Sequence, residues 1–386
     1  MILADLPTPH LVLDRVKLQK NLDRMSTRAD ELGVRLRPHM KTAKSIEVAK
    51  LALVDRPACI TVSTMKEARY FAEHGLRDIV LAVGLVPQRL EEVVALLVEG
   101  VSLAVTTDMP EVAELISAAG RRAGVTIPVM IEVDVGEHRG GVLEPLAGGQ
   151  ERLLAVARGL GPEGAEVRGV LAHAGHTYGC SEREAIADIA EAERSIAVGA
   201  ATVLRQAGFG CPEVSVGSTP GALFARNLEG VTEMRPGVYM FMDLFQSGVG
   251  CCALSDIALS VLSTVMNHRP ESGTAHIDAG GLALSKDRST GSQMLDLGFG
   301  LVTDVNGAPF PNLIVQAVHQ EHGRLGPIDN SGTVPIEVLP VGERVRVLPN
   351  HACMTAAAYE RYAVVDGTEM GDQQPVVTFW DRVNGW

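Results

Sequence analysis

Long hydrophobic runs are missing from this sequence. No apolar stretch reaches the roughly 18 to 20 residues needed to cross a bilayer. The opening segment, Met1 to Lys20, alternates charged with apolar residues where a signal peptide would carry an unbroken apolar core. A cytoplasmic protein without membrane association is therefore expected. Positive charge is also in deficit: 34 Lys and Arg stand against 47 Asp and Glu, a net charge of −13. That balance excludes a general nucleic-acid binder, since no broad field would draw a phosphate backbone, and leaves room for a local basic pocket around a small anion. Cysteine is sparse as well. Cys59, Cys180, Cys211, Cys251, Cys252 and Cys353 are scattered through 386 residues, unlike the dense pattern of a small disulfide scaffold, so most are expected as reduced core thiols. No internal repeat and no low-complexity linker interrupts the chain.

What the chain does have is a large apolar fraction, 46% against 21% charged, in a length that suits two folded units. From about Val34 one theme recurs: a short β-branched run, then a stretch with apolar residues every three or four positions. The runs are Val34–Met40, Ala58–Thr64, Asp78–Gly84, Ser102–Thr107, Pro128–Gly136, Val167–Ala174, Glu213–Ser218 and Met234–Met240. Eight strands alternating with helices fit a parallel α/β barrel of the (β/α)8 TIM type, with an open doubly wound sheet as the competing arrangement. After about Leu244 helical periodicity fades. Segments such as Ala258–Asn267, Leu313–His319 and Arg344–Leu348, separated by Gly and Pro turns, predict a C-terminal all-β domain. The expected division is an N-terminal segment 1–22 packed on the β domain, a barrel over 23–245, and the β domain over 246–386.

A barrel carries its chemistry at the carboxyl ends of its strands. The first run ends Arg37-Pro38-His39-Met40-Lys41-Thr42. A lysine directly after an apolar strand is expected to be partly desolvated, which frees its amine for imine formation. The fifth run ends in the Gly-rich loop that holds Arg139, and the sixth in His173-Ala174-Gly175-His176-Thr177-Tyr178, an imidazole and a phenol able to cover and edge a flat heterocycle. Gly217-Ser218-Thr219-Pro220 ends the seventh as a plausible phosphate cradle, and the eighth carries Arg235 and Tyr239. Far downstream, His351-Ala352-Cys353 pairs an imidazole with a thiol. On an extended strand the two would point the same way and suit Zn²⁺ or another borderline divalent ion.

In this order the motifs resemble the fold-type III pyridoxal-phosphate (PLP) enzymes, with their alanine-racemase-like barrel and β domain. The closer likeness is to the D-threonine aldolase and D-serine dehydratase branch, alanine racemase being more distant. The resemblance runs from Thr8-Pro9 to Gly385-Trp386, through Asp278-Ala279-Gly280 and Pro349-Asn350-His351-Ala352-Cys353. It implies that Lys41 holds PLP as a Schiff base and that Arg139 meets the cofactor's phenolate oxygen. His173 would stack on the ring and Tyr178 face the pyridine nitrogen, while Gly217, Ser218, Thr219 and Tyr239 hold the phosphate. Arg235 stands where alanine racemase sets an Arg against the pyridine nitrogen, and its role here stays open.

The resemblance also implies a homodimer and a divalent metal (Zn, Mn, Mg or Co) at His351 and Cys353. His-x-Cys at that position resembles the dehydratases, whereas the aldolases carry His-x-Asp. The implied activity is a PLP- and metal-dependent dehydratase, a lyase turning a D-3-hydroxy amino acid into a 2-oxo acid and ammonia. The substrate would be D-threo-3-hydroxyaspartate or D-serine, with Lys41 taking the α-proton and the metal binding the 3-hydroxyl. The alternatives are a D-threonine or D-3-hydroxyaspartate aldolase releasing glycine and an aldehyde, and a non-catalytic PLP carrier.

Overall fold

The computed structural model describes all 386 residues except 330, 333, 336, 368 and 369. Each of the eight β-branched runs between residues 34 and 240 overlaps a strand, and all eight strands pair in parallel. Their order is Arg35–Leu36, Glu233–Met234, Glu213–Val216, Ala165–Ala172, Ile127–Val133, Ser102–Thr107, Asp78–Gly84, Cys59–Val62. The two end segments meet through a bridge from His39 to Thr61, supported by Met40 N–H donating to Thr61 O (2.8 Å) and Thr61 N–H to Pro38 O (2.9 Å). Strands of a parallel sheet are covered on both faces and read as continuous apolar runs. Accordingly Val80, Ala104, Met130 and Leu171, one from each of four neighbouring strands, form one buried cluster.

Two of the strands are far shorter than their sequence runs. Pro38 and Pro236 follow Leu36 and Met234 closely, and a proline has no amide to continue the ladder. The helices between the strands start and stop where local chemistry directs. Pro110–Ala123 opens with Pro at its first turn, carries Arg121 and Arg122 in its last, and ends at Gly124 with φ +68°. No helix among the described residues is long and apolar enough to cross a membrane.

The chain divides into two compact units, Met25–Gly237 with Gly385–Trp386, and Val238–Asn384 with Met1–Arg24. The first holds the parallel sheet. In the second, Thr274–Ile277, Gly323–Pro327, Pro309–Val318, Leu301–Thr303, Arg344–Leu348 and Leu259–Arg269 pair in that order, and the last pairs back on the first. The sheet continues through His10–Asp14 to Arg361–Val365 and Val376–Asp381. Leu3, Leu6, Val12, Leu262, Ala363 and Val365 build its buried cluster, so the N-terminal residues are core of this unit. Arg344 secures them by donating to Leu3 O (2.7 Å) and Leu6 O (2.8 Å). The strands His10–Asp14, Leu301–Thr303 and Gly323–Pro327 carried no clear sequence signal. The second is three residues long and the third, Gly-Arg-Leu-Gly-Pro, has poor strand propensity.

Candidate active site

In the first unit the reactive loops begin where the parallel ladder ends. After Pro38 the chain turns through Met40 to Lys44, whose amide donates to Met40 O (2.7 Å) and whose φ is +49°. Lys44 Nζ lies 2.8 Å from Glu67 Oε1, a fully buried carboxylate, so an ion pair pins the turn that presents Lys41. Lys41 itself is exposed, which corrects the expectation of a desolvated lysine. Met40, Thr42 and Ala43 around it are fully buried, so Lys41 is the one side chain of residues 40–43 that reaches solvent. Its charge is felt nearby. Burial first, and the Lys41 charge second, hold the imidazole of His39 far below its ordinary value and that of His173 at about 3. Both rings are neutral near pH 7.

His173 donates through Nδ1 to the carbonyl of Gly217 at 2.5 Å, which ties the sixth strand end to the seventh. Ser218 caps the helix Thr219–Phe224, its Oγ accepting from Gly221 N–H (3.0 Å) and lying 3.0 Å from Thr177 Oγ1. The Tyr178 hydroxyl is 3.5 Å from the Thr219 amide, so the structure sets this phenol at the cradle. Thr219 Oγ1 is buried with no hydrogen-bond partner among the described residues. Gly217 has φ +148°, and a Cβ there would fall 2.7 Å from Arg235 N, so only glycine fits. An orphaned, buried hydroxyl at the start of a helix, beside a glycine that no side chain could replace, fits the phosphate of PLP.

Arg235 is buried and fully engaged, donating to Ser215 Oγ and to Ala172 O, each at 2.6 Å. Arg139 is 57% exposed with Nη1 3.5 Å from Glu137 Oε1, and its charge also acts on His173. Its loop is ordered by Asp134, which accepts from Gly136 N–H (2.8 Å) and pairs with His138 (2.9 Å). Lys41, Arg139, His173, Tyr178, Gly217, Ser218 and Thr219 thus all lie at strand ends of one sheet. Tyr239 is fully buried in the turn Val238–Met240, which belongs to the second unit with His351 and Cys353.

The extended strand expected for His351 and Cys353 is not present. Strand Arg344–Leu348 ends at Pro349, His351 is the N-cap of the helix Ala352–Ala356, and Cys353 sits in its first turn. The pair still meets, for the thiol is within hydrogen-bond reach of the imidazole. Burial opposes charge on His351, but bonds to Asp287 and Cys353 outweigh it and raise the imidazole to about 11. Asp287 Oδ2 holds His351 Nδ1 at 2.7 Å, leaving Nε2 for the sulfur or a metal. Buried Asp243, raised to about 6 by desolvation, accepts from Ala352 N–H at 2.9 Å and fixes the turn from behind. An imidazole Nε2 beside a thiol, with a carboxylate on the opposite ring nitrogen, is a donor set that fits a divalent ion. No group of three or more ligating side chains occurs among the described residues, so the pair would supply only part of a coordination shell.

Sequence reasoning gave no role to Asp287, Asp243, Glu67 or Glu193. Glu193 lies on the helix Arg183–Gln206, and its Oε1 accepts from the amides of Ala174 (3.0 Å) and Gly217 (3.1 Å).

Residues 13–244 match the family described as alanine racemase, N-terminal domain, and residues 258–365 the one described as putative serine dehydratase domain. The chain is 43% identical over 387 residues to the D-threo-3-hydroxyaspartate dehydratase of Delftia sp. (strain HT23), covering 100% of this chain and 99% of that one. The chain belongs to the D-serine dehydratase family of alanine-racemase-like, PLP-dependent lyases. Within it, the D-serine dehydratase of Dictyostelium discoideum is 31% identical over 373 residues, 92% of each chain. The D-threonine aldolase of Arthrobacter sp is 30% identical over 375 residues, 94% of this chain and 90% of that one. The solved structure of the Delftia sp. HT23 dehydratase superposes with a TM-score of 0.95 at 42% identity, over 100% of both chains. A cysteine-to-alanine mutant of D-threo-3-hydroxyaspartate dehydratase, solved in the metal-free form, also gives 0.95, at 43% identity over 100% of each chain. The fold is therefore alanine-racemase-like, a parallel eight-stranded sheet with a separate, mostly antiparallel one.

Proposed function

We propose that this enzyme dehydrates a D-3-hydroxy amino acid, D-threo-3-hydroxyaspartate in the first place and D-serine in the second, to a 2-oxo acid and ammonia. The observation that carries the reading is the His351–Cys353 pair, an imidazole and a thiol within bonding reach and backed by Asp287. A domain over 23–245, taken as a closed barrel on the strength of the His39–Thr61 bridge, would bind the cofactor, and the domain over 246–386 the metal. The segment 1–22 would pack on the latter, and two copies would form a homodimer.

When bound, PLP would spread the charge left by a departing α-proton, and a divalent ion would act as Lewis acid toward the hydroxyl that leaves. Lys41 Nζ would anchor the cofactor and then take the α-proton. The neutral, rigidly held His173 would present its ring face, and Arg139 its guanidinium to the cofactor's oxygen. Gly217, Ser218, Thr219 and Tyr239 would hold the phosphate end, joined there by Tyr178, whose hydroxyl near the Thr219 amide favours this place over the pyridine nitrogen, while Arg235, bound to Ser215 and Ala172, would keep the underlying strands in place. Atoms balance: the water lost across C2–C3 returns when the released enamine hydrolyses. A cytoplasmic location is part of the same reading.

The direct test incubates the enzyme with D-threo-3-hydroxyaspartate, D-serine and D-threonine and measures ammonia against glycine. Ammonia in step with 2-oxo acid is the expected result. Glycine with an aldehyde would show the aldolase instead. Bound PLP with turnover of none of them, metal supplied, would revive a carrier role.

A further inference from the structure

Glu193 has no evident reason to be where it is. It sits midway along the helix Arg183–Gln206 on the face that covers the sheet, among Ile186, Ala190 and Ala197, and is only 2% exposed. A buried carboxylate is destabilising unless its oxygens are engaged. Among the described residues no cation pairs with it within 4.0 Å, and burial accordingly raises its proton affinity. What engages it is backbone. Its Oε1 accepts from the Ala174 amide at 3.0 Å and the Gly217 amide at 3.1 Å.

Those amides belong to two different loops. The ladder between Ala165–Ala172 and Glu213–Val216 makes its last pairing at Leu171 and Ser215. Past that point the side-chain oxygen of Glu193 takes one amide from each chain, Ala174 three positions on and Gly217 two positions on, in place of a carbonyl. The bonds around it close the link. Gly217 O receives His173 Nδ1 at 2.5 Å, and Thr177 Oγ1 donates to Ala174 O (2.7 Å) while lying 3.0 Å from Ser218 Oγ. One loop thus carries His173 and Tyr178, the other Ser218 and Thr219, and Glu193 Oε1 bridges the backbones of both.

We infer that Glu193 is a positioning residue for the cofactor's phosphate, holding the loop after Ala172 and the loop after Val216 in the register at which Ser218, Thr219 and Tyr178 form one cradle. The inference rests on the proposed assignment of the phosphate to Gly217–Thr219. Without an acceptor at position 193, two buried amides lose their partner, and the register of the loops rests on the His173–Gly217 and Thr177–Ser218 bonds.

The test exploits pyridoxal, which has the same aldehyde as PLP and lacks the phosphate. Enzyme resolved of cofactor is titrated with each compound by absorbance, and the ratio of the two affinities is the readout. Wild type should prefer PLP. Glu193→Met, similar in length but without an acceptor, should lose on the order of tenfold of that preference, and so should Glu193→Asp, whose shorter arm cannot reach both amides. Glu193→Gln, which keeps an oxygen at Oε1, should retain it. A wild-type ratio in Glu193→Asp and Glu193→Met, or an equal weakening toward both compounds, would overturn the inference. Should Glu193→Met fail to fold, the contrast of Asp with Gln decides alone. If wild type shows no preference, the phosphate assignment falls and the inference with it.

Discussion

At the scale of single residues, the second unit shows how one carboxylate prepares an imidazole. Asp287 takes His351 Nδ1 at 2.7 Å, which fixes the ring's orientation and leaves Nε2 on the side of Cys353. The Asp287 carboxyl is itself held below its usual range, by this bond first of all. Such outer partners commonly account for about 10- to 100-fold in metal affinity. Asp287→Asn should therefore weaken divalent-ion binding by roughly that factor, as measured by competition with a chelator, while the fold and bound PLP persist. Unchanged metal affinity would show that His351 is oriented by something else. In the first unit Lys41, His173 and Ser218 were legible because their chemistry is unusual at strand ends. The role of Asp287 was not, because the imidazole that gives it one lies 64 positions away.

At the scale of elements, the weakest ladder in the parallel sheet is also the most charged. Arg35–Leu36 and Glu233–Met234 offer two residues each, yet Glu233, fully buried, takes Arg37 Nε at 2.8 Å, Arg35 Nη2 at 2.6 Å and Ser215 Oγ at 2.6 Å. Arg37 in turn reaches Asp78 Oδ1 at 2.7 Å. Burial pushes the Glu233 carboxyl up, but Arg37 and Arg35 overcome it and bring the group down to about 2. A carboxyl whose folded value lies below its unfolded one stabilises the fold above about pH 4.5, and that contribution disappears as pH falls toward 2. Glu233→Gln removes one of the two carboxylates bonded to buried Arg37, leaving Asp78, and should cost about 1–3 kcal/mol near pH 7. Urea melts across pH should also show a flatter acid limb in the variant than in wild type. An identical limb would mean that Glu233 is not the group responsible.

At the scale of the whole molecule, the proposed cofactor and metal belong to different compact units, Lys41 in Met25–Gly237 and His351 with Cys353 in Val238–Asn384. Removing the metal should therefore leave the PLP absorbance intact while ammonia release stops, and adding a divalent ion back should restore it. Full turnover after exhaustive chelation would remove the metal from the reaction.

The amino-acid sequence by itself determined which segments form the parallel sheet, because β-branched runs bounded by Gly and Pro have few other solutions. It likewise determined which side chains stand at the strand ends, because the alternation of strand and helix places them there. The tertiary structure decided what those side chains lean on. Glu193 on Ala174 and Gly217, Glu67 on Lys44, and Asp243 on Ala352 all join a side chain to a partner brought near only by folding. It also decided that His351 and Cys353 meet at a helix start, where Pro349 has ended the strand. Sequence periodicity reports on local backbone, and contacts of this kind leave no period to read.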